Sequence, residues 1–391
     1  MCRRNGITRL AAGSNCRRKN NMGLLSSLRR VLYKAIDKSY EVGQLHGEKK
    51  KIKDPRRAEL VNSVVLTNEQ KASIDKLYAK VSGGTVDYSW HRLYQSFTGN
   101  FDAAYFPEWI LSSKLEPLFN AREYRYVLDD KLLLPLFCNG VDGVRTPKTI
   151  GCFCHEVFFD QNRDTYSLES FCELLSNSGI CIIKPVQDTS SGRGVRMLHF
   201  VDGIDTKSGE TVESIIEQYR KGAFLIQEAV DEHECLKQIY PGSVNTFRVV
   251  TYLWNGKVNH WPIALRIGQG GSYLDNAHAG GMFIGVDDEG NLQSRAFTEF
   301  RNVFEEHPDT KYVFKGKKLP LIPELIDKVT RMHLNAPELG LISWDFTIDS
   351  NGIFVLIEVN TTGQSIWFPQ MANGKGAFGE NTSAVIQYIS E

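Results

Sequence analysis

Apolar residues recur at three- and four-residue intervals in Leu24-Leu25-Leu28-Val31-Leu32 and again in Ile74-Leu77-Tyr78-Val81, a spacing that predicts helix from residue 24 to about 80. Gly83-Gly84 closes that part. An aromatic-rich stretch over 90–118 keeps the helical spacing and reads as the core of an accessory helical region. From Tyr124 onward, strand and helix patterns alternate. Asp129-Asp130-Lys131 opens a helix that runs to 137, and 146–150 enters a short strand. A helix over 167–177 is capped by Ser167 with Gly179 beyond its end. Strands follow at 181–186, 223–230 and 244–253, with a helix at 212–219. Asn255-Gly256 predicts a hairpin turn, 282–286 a strand and 321–332 an amphipathic helix. The stretch 363–379 is expected to be a mobile loop before a closing helix at 381–389. Such a sequence of elements is α/β or α+β.

The stretch 343–360 organises the rest. Two β-rich runs flank Asn351-Gly352, a dipeptide that tolerates the positive φ angles of a two-residue hairpin turn. With that pair as the whole turn, Ser350 faces Ile353 and Asp345 stands opposite Glu358. Asn360 then shares their face, two residues further on. Facing carboxylates repel one another, so a sheet gains nothing from keeping them for its own stability. A hard cation such as Mg²⁺ removes the conflict and leaves room for phosphate oxygens. The alternative is a solvated face with the charges splayed into water.

Lys184 sits in the strand at 181–186 and is followed by Asp188-Thr189-Ser190-Ser191-Gly192-Arg193-Gly194. These residues lie between two strands, where a P-loop would need a helix, so they read as a flap closing over phosphates or as a plain turn. Lys184 and Arg193 favour the anion-binding reading. The strand at 223–230 breaks into Asp231-Glu232-His233-Glu234, a pattern suited to an adenine pocket with a later acid on the ribose. Residues 270–281 form a long loop of small residues that invites close approach by a ligand or by another backbone.

Composition narrows the classes. The 391 residues, 42% hydrophobic and 24% charged, suffice for two or three packed domains, and a net charge of +0 gives no footprint for nucleic acid. Lys and Arg nevertheless crowd the first 57 residues. That basic arm could contact an anionic membrane surface, although a solvated, partly disordered arm is the expected state. Met22 offers an alternative start. No secretory signal core or bilayer-spanning run is legible, so a cytoplasmic protein is expected. The eight cysteines lack CxxC pairing. Cys152 and Cys154 with His155 alternate as on a strand, which favours a structural role over a metal site.

Lys131, Ile183-Lys184-Pro185 with its Ser-Ser-Gly-Arg-Gly flap, Gln227-Glu228, Asn245-Thr246-Phe247-Arg248, Trp344-Asp345 and Ile357-Glu358-Val359-Asn360 follow one another in an order that resembles the ATP-grasp ligases. With Leu265-Arg266-Ile267-Gly268, Asp275-Asn276 and Gly280-Gly281, the chain from about Tyr105 resembles the sugar-transfer-associated branch. The resemblance implies an α+β ATP-grasp fold, two subdomains clasping ATP, behind an N-terminal helical accessory region. The expected division is 1–57 basic arm, 58–120 helical region, 121–180 first α/β part, 181–230 central subdomain with the flap and 231–391 C-terminal subdomain. Carried over by position, Lys131 and Lys184 would grip phosphates under Ser190, Ser191, Gly192, Arg193 and Gly194. Gln227, Glu228 and Val230 would hold adenine, and Glu234 the ribose. Asp345, Glu358 and Asn360 would carry Mg²⁺, two ions being expected, and Arg248 and Arg266 would meet the transferred phosphoryl group. Arg266, Asn276 and the Gly280-Gly281 loop would receive the carboxylate, with His278 a candidate proton acceptor.

The implied chemistry is ATP-dependent activation of a carboxylate as an acyl phosphate and its capture by an amine, in surface-polysaccharide or related small-molecule biosynthesis. A kinase acting on a hydroxyl of a sugar-like substrate is the alternative, with Asp275 or His278 as its base. A non-catalytic nucleotide-binding module is the third reading. The implied partners are a small carboxylate and an amine, sugar-linked in the polysaccharide reading.

Overall fold

The computed structural model describes residues 36, 38–187 and 192–391, the side chains of 126 and 127 excepted. Most of the basic arm, including the pattern at 24–32, lies outside the described residues. Of the remainder, 38–52 is helical, within the stretch whose spacing predicts helix, with Glu48 and Ile52 buried.

Two sheets carry the chain. In the smaller one, seven antiparallel strands run in the order Thr165–Tyr166, Val157–Phe159, Thr149–Cys154, Phe224–Glu228, Gly179–Pro185, Arg196–Val201, Ile204–Asp205. Helices Leu168–Leu175 and Val212–Tyr219 cover one face, burying Phe171, Leu175, Ile215 and Ile216 against Phe153, Cys181, Ile183 and Ile226. Ser167 caps the first helix through the amide of Ser170 at 3.2 Å, as its sequence predicts. Gly151 is what lets that helix approach, because a Cβ there would lie 2.4 Å from the Phe171 ring. Strand alternation then turns Ile182, Lys184, Leu225 and Gln227 to the other face.

The larger sheet has nine strands. Its path is Val144–Arg145, Phe354–Asn360, Leu341–Ile348, Thr246–Trp254, Ile263–Ile267, Met282–Val286, Leu292–Phe297, Val303–Phe304, with Lys257–His260 also paired to Thr246–Trp254. Asn255 and Gly256, at φ 50° and 71°, make the predicted tight turn. Helix Ile322–His333 buries Ile322, Leu325, Val329 and Met332 against one face. Trp344 is fully buried there, edge-on to Phe137 at 5.3 Å, a pairing that adds about 1 kcal/mol beyond its area.

The chain crosses between the sheets at 146–148 and returns after Glu228, where His233 N donates to Ile348 O at 2.8 Å. The helical accessory region packs on the opposite face of the large sheet, where Trp90, Tyr94, Phe97 and Tyr105 share a core with Ala264, Phe283, Trp367 and Phe368. This corrects the mobile loop expected at 363–379. It contains helix Trp367–Asn373, every residue of which is buried. Its seven residues are too few for helical periodicity to stand out between flanking glycines, and tertiary packing supplies what local propensity does not.

Candidate active site

The central hairpin reaches the predicted pairing by a different route. Asn351-Gly352 is not the whole turn: Asp349 N donates to Ile353 O at 2.9 Å, so Ser350, Asn351 and Gly352 form a three-residue loop. Ile348 therefore pairs with Phe354, one position out of the expected register. An irregularity between Asp345 and Phe346 takes up the extra residue and restores Asp345 opposite Glu358. It also reverses the alternation. Phe354 and Leu356 face the core, and so does Val359, while Glu358 and Asn360 turn to the cleft.

Register carries that pair further. Arg248 is the cross-strand neighbour of Asp345, and Ala264 the neighbour of Arg248, while Arg266 lies across from Thr246. Arg248 Nε and Nη2 both donate to Asp345, the latter at 3.0 Å, and Arg266 Nη2 stands 3.1 Å from Asp345 Oδ2. Burial alone would raise the Asp345 carboxyl, but Arg248 and then Arg266 hold it below the usual carboxylate range. Glu358 pairs with Lys131 at 3.0 Å. Side-chain cations thus offset the repulsion that the sequence assigns to Mg²⁺, one set on each carboxylate.

Lys131 is presented by a short turn. Asp130 caps that turn through the Leu132 amide at 2.8 Å, and Asp129 accepts from Thr361 N at 3.0 Å, so the two acids before Lys131 serve the backbone. Lys184 reaches the same space from the small sheet. It is 7% exposed and makes no ion pair among the described residues; burial first, then the charge of Lys131, lowers its pKa to about 8.

Between the sheets lies a cavity of about 700 Å³. Of the residues singled out from the sequence, Lys131, Lys184, Gly192, Gln227, Glu228, Val230, Arg248, Arg266, Asn276, His278, Glu358 and Asn360 line it. Asp345 sits behind Arg248 and Arg266, fully buried. Arg193, Gly194 and Glu234 are exposed and outside the lining, and Ser190 and Ser191 lie outside the described residues. Asn276 Oδ1 accepts from His278 N at 2.9 Å and so shapes its own loop. Asn245, at the start of its strand, donates to buried Glu232 from both nitrogens.

Asp275, a candidate base in the kinase alternative, also lines the wall; sequence reasoning left out Trp367 and Phe368 there, and Arg145 outside the lining. Asp275 accepts from Thr246 Oγ1 and lies 3.4 Å from Arg266, and Trp367 and Phe368 close one end. Arg145 bridges Glu228 and Asp349, tying the small sheet to the hairpin turn. The Trp-Phe-Pro run was the one local signal among these; the others meet only through tertiary contacts.

The donor set fits a magnesium nucleotide. Lys184 is a buried cation facing the cavity that makes no ion pair among the described residues, which suits phosphate. Gln227 Oε1, buried and without a partner among the described residues, suits an exocyclic amine. Asn360, whose Nδ2 lacks a partner among the described residues, can turn its amide oxygen to a cation beside Glu358.

Two sheets closing on a cleft of this kind, with a helical region in front, make an ATP-grasp fold. The chain belongs to the sugar-transfer associated ATP-grasp family, whose model matches residues 111–385. No curated protein sequence matches the chain. Among solved structures, it is similar to D-alanyl-alanine synthetase A from Vibrio cholerae, with 16% identity, TM-score 0.38, 67% of this chain and 65% of that one covered. An L-amino acid ligase from Bacillus licheniformis gives 12%, 0.38, 68% and 48%. The ATP-grasp ligase PsnB, complexed with a precursor variant, Mg and ADP, gives 14%, 0.38, 70% and 62%. The chain spans less than two thirds of each of these. Among the described residues, no helix is long and apolar enough to cross a membrane.

Proposed function

We propose that this chain is an ATP-dependent, ADP-forming ligase that activates a carboxylate as an acyl phosphate and joins it to an amine. Bound ATP with Mg²⁺ would supply the phosphoryl group that turns a poor leaving group into phosphate. Lys131 and Lys184 then neutralise the polyphosphate, Gln227 and Val230 border the adenine, and Glu358 and Asn360 offer oxygens to the cation. Asp345 contributes its charge through Arg248 and Arg266, and it becomes a direct ligand only if one arginine turns to phosphate. Those arginines place positive charge where negative charge moves during phosphoryl transfer, a reaction that asks a protein chiefly for positioning and electrostatics. Asn276 and His278 border the acceptor end. The family's sugar-transfer association supports an amino compound joined to a surface-polysaccharide precursor or a related small acid.

The observation that carries this reading is that buried Lys184, which makes no ion pair among the described residues, lines one cavity with Arg248 and Arg266. Asp275 is already bound to Thr246 and next to Arg266, which disfavours it as the base of a kinase. Incubation with ATP, Mg²⁺, pooled carboxylic acids and hydroxylamine is expected to yield hydroxamate together with ADP. A stable phosphorylated alcohol, or ATP turnover that hydroxylamine does not trap, would overturn it.

A further inference from the structure

We propose that His278 and Glu299 form a dyad that accepts the proton of the attacking amine, His278 through Nε2 and Glu299 as the positioning residue. The proposal rests on the ligase reading above. His278 stands on the single turn Ala277–Ala279 in the cavity wall, and its Nδ1 is 2.8 Å from Glu299 Oε2. Glu299 follows strand Leu292–Phe297, and its side chain is only 13% exposed. Its other oxygen accepts from Arg57 Nη2 at 2.8 Å, and Arg57 belongs to helix Pro55–Asn62 of the accessory region. Burial pushes the Glu299 carboxyl up, but the bonds from His278 and Arg57 outweigh it and hold the group below its ordinary value.

An ionised carboxylate only accepts hydrogen bonds, so the proton of a neutral His278 belongs on Nδ1 and Nε2 keeps its lone pair. Trp367, its ring centroid 5.7 Å from that of His278, packs beside the imidazole at the same end of the cleft. Arg57 keeps the carboxylate from turning away. The accessory helices thereby complete the acceptor site as well as covering the sheet. In the step itself, the amine lone pair forms the C–N bond at the acyl carbon and the C–O bond to phosphate breaks, its electron pair leaving with phosphate. The nitrogen's proton passes to His278 Nε2, and the resulting imidazolium is stabilised by Glu299.

Two measurements test this on the full chain. Long-range nitrogen–proton NMR, with the His278 signals assigned by their loss in His278→Gln, is expected to show the Nδ1–H tautomer, and Glu299→Gln is expected to displace it. An Nε2–H tautomer in the unmodified protein, or no change in Glu299→Gln, overturns the dyad whatever reaction the protein catalyses. The second measurement supplies methylamine and hydroxylamine in turn as nucleophiles with the pooled acids. Hydroxylamine is a weak base, neutral at pH 7, and depends less on a protein base. Glu299→Gln is expected to lower the ratio of methylamide to hydroxamate about tenfold, part of the roughly hundredfold or more that a general base contributes, because His278 itself remains, and Glu299→Asp to restore part of it. Should Glu299→Gln not fold, Arg57→Met, which unanchors the carboxylate, is expected to lower the ratio about threefold. An unchanged ratio with hydroxamate present overturns the dyad and leaves the ligase standing. Absence of hydroxamate from the unmodified protein removes the ligase reading, and the tautomer then decides the dyad alone.

Discussion

Lys131 Nζ lies 3.0 Å from Glu358 Oε1, so the turn before the small sheet and the last strand of the hairpin neutralise each other at the cavity wall. Glu358→Gln keeps the side chain's shape and removes its charge. Turnover is expected to fall by about a thousandfold, as when a group that stabilises transferring charge is lost. The fold should persist, because the side chain is 30% exposed and Lys131 can turn towards the cavity. ADP release with Mg²⁺ and circular dichroism check the two halves; undiminished release would remove Glu358 from the cation site.

Asp345→Asn should behave differently. It removes the charge and one acceptor oxygen shared by Arg248 and Arg266, leaving Arg248 buried without its carboxylate and Arg266 with Asp275 as its one remaining ion pair among the described residues. Breaking a buried pair in this way costs about 3–5 kcal/mol. Urea unfolding should show a loss of that order in Asp345→Asn and a much smaller one in Glu358→Gln. Equal losses would mean that the arginines do not depend on Asp345.

Much of this arrangement was legible in the sequence, and what was missed has a physical reason. The pairing of Asp345 with Glu358 could be counted from the Asn351-Gly352 turn, although a longer loop and a compensating irregularity bring it about. Turn chemistry and a period of two are local signals. By contrast, the arginine partners of Asp345 follow from strand order, and no local spacing reveals that Thr246–Trp254 lies beside Leu341–Ile348. Helix Trp367–Asn373 was unreadable for the same reason, since it is stabilised by distant helices. Glu299 gave no signal at all. Its role depends on Arg57, 242 positions away in the chain.

Glu116 ties the helical region to the loop after the hairpin. Burial above all raises its pKa to about 8, while Arg125 and the amides of Gln364 and Gly363 pull the other way. Between its ordinary value of 4.5 and about 8, the unfolded chain releases the proton and the folded chain keeps it. The stability from this group is therefore complete below pH 4.5 and is lost as pH rises towards 8. Glu116→Gln imitates the protonated form at every pH. It should be about 1–3 kcal/mol more stable relative to the parent at pH 7.5 than at pH 5, read from urea midpoints. An offset of the same size at both pH values would count against a protonated Glu116.

Lys184 gives a pH dependence of opposite sign. Its folded pKa of about 8 lies below the ordinary value of 10.5 because burial and Lys131 disfavour the charge, with Glu358 opposing. Below pH 8 both states are protonated and the cost of the buried charge is fully present. From about 8 to 10.5 the unfolded chain holds the proton longer, so stability rises with pH over that window. A polyphosphate beside Nζ favours the charged form, so binding above pH 8 must draw a proton from solution. ADP affinity is therefore expected to fall as pH rises from 7 to 9. Titration calorimetry at pH 8.5, in buffers of different ionisation enthalpy, should register uptake of up to about one proton. Lys184→Met should bind more weakly at pH 7 and show no such uptake. Equal proton uptake by both proteins would place the phosphates away from Lys184.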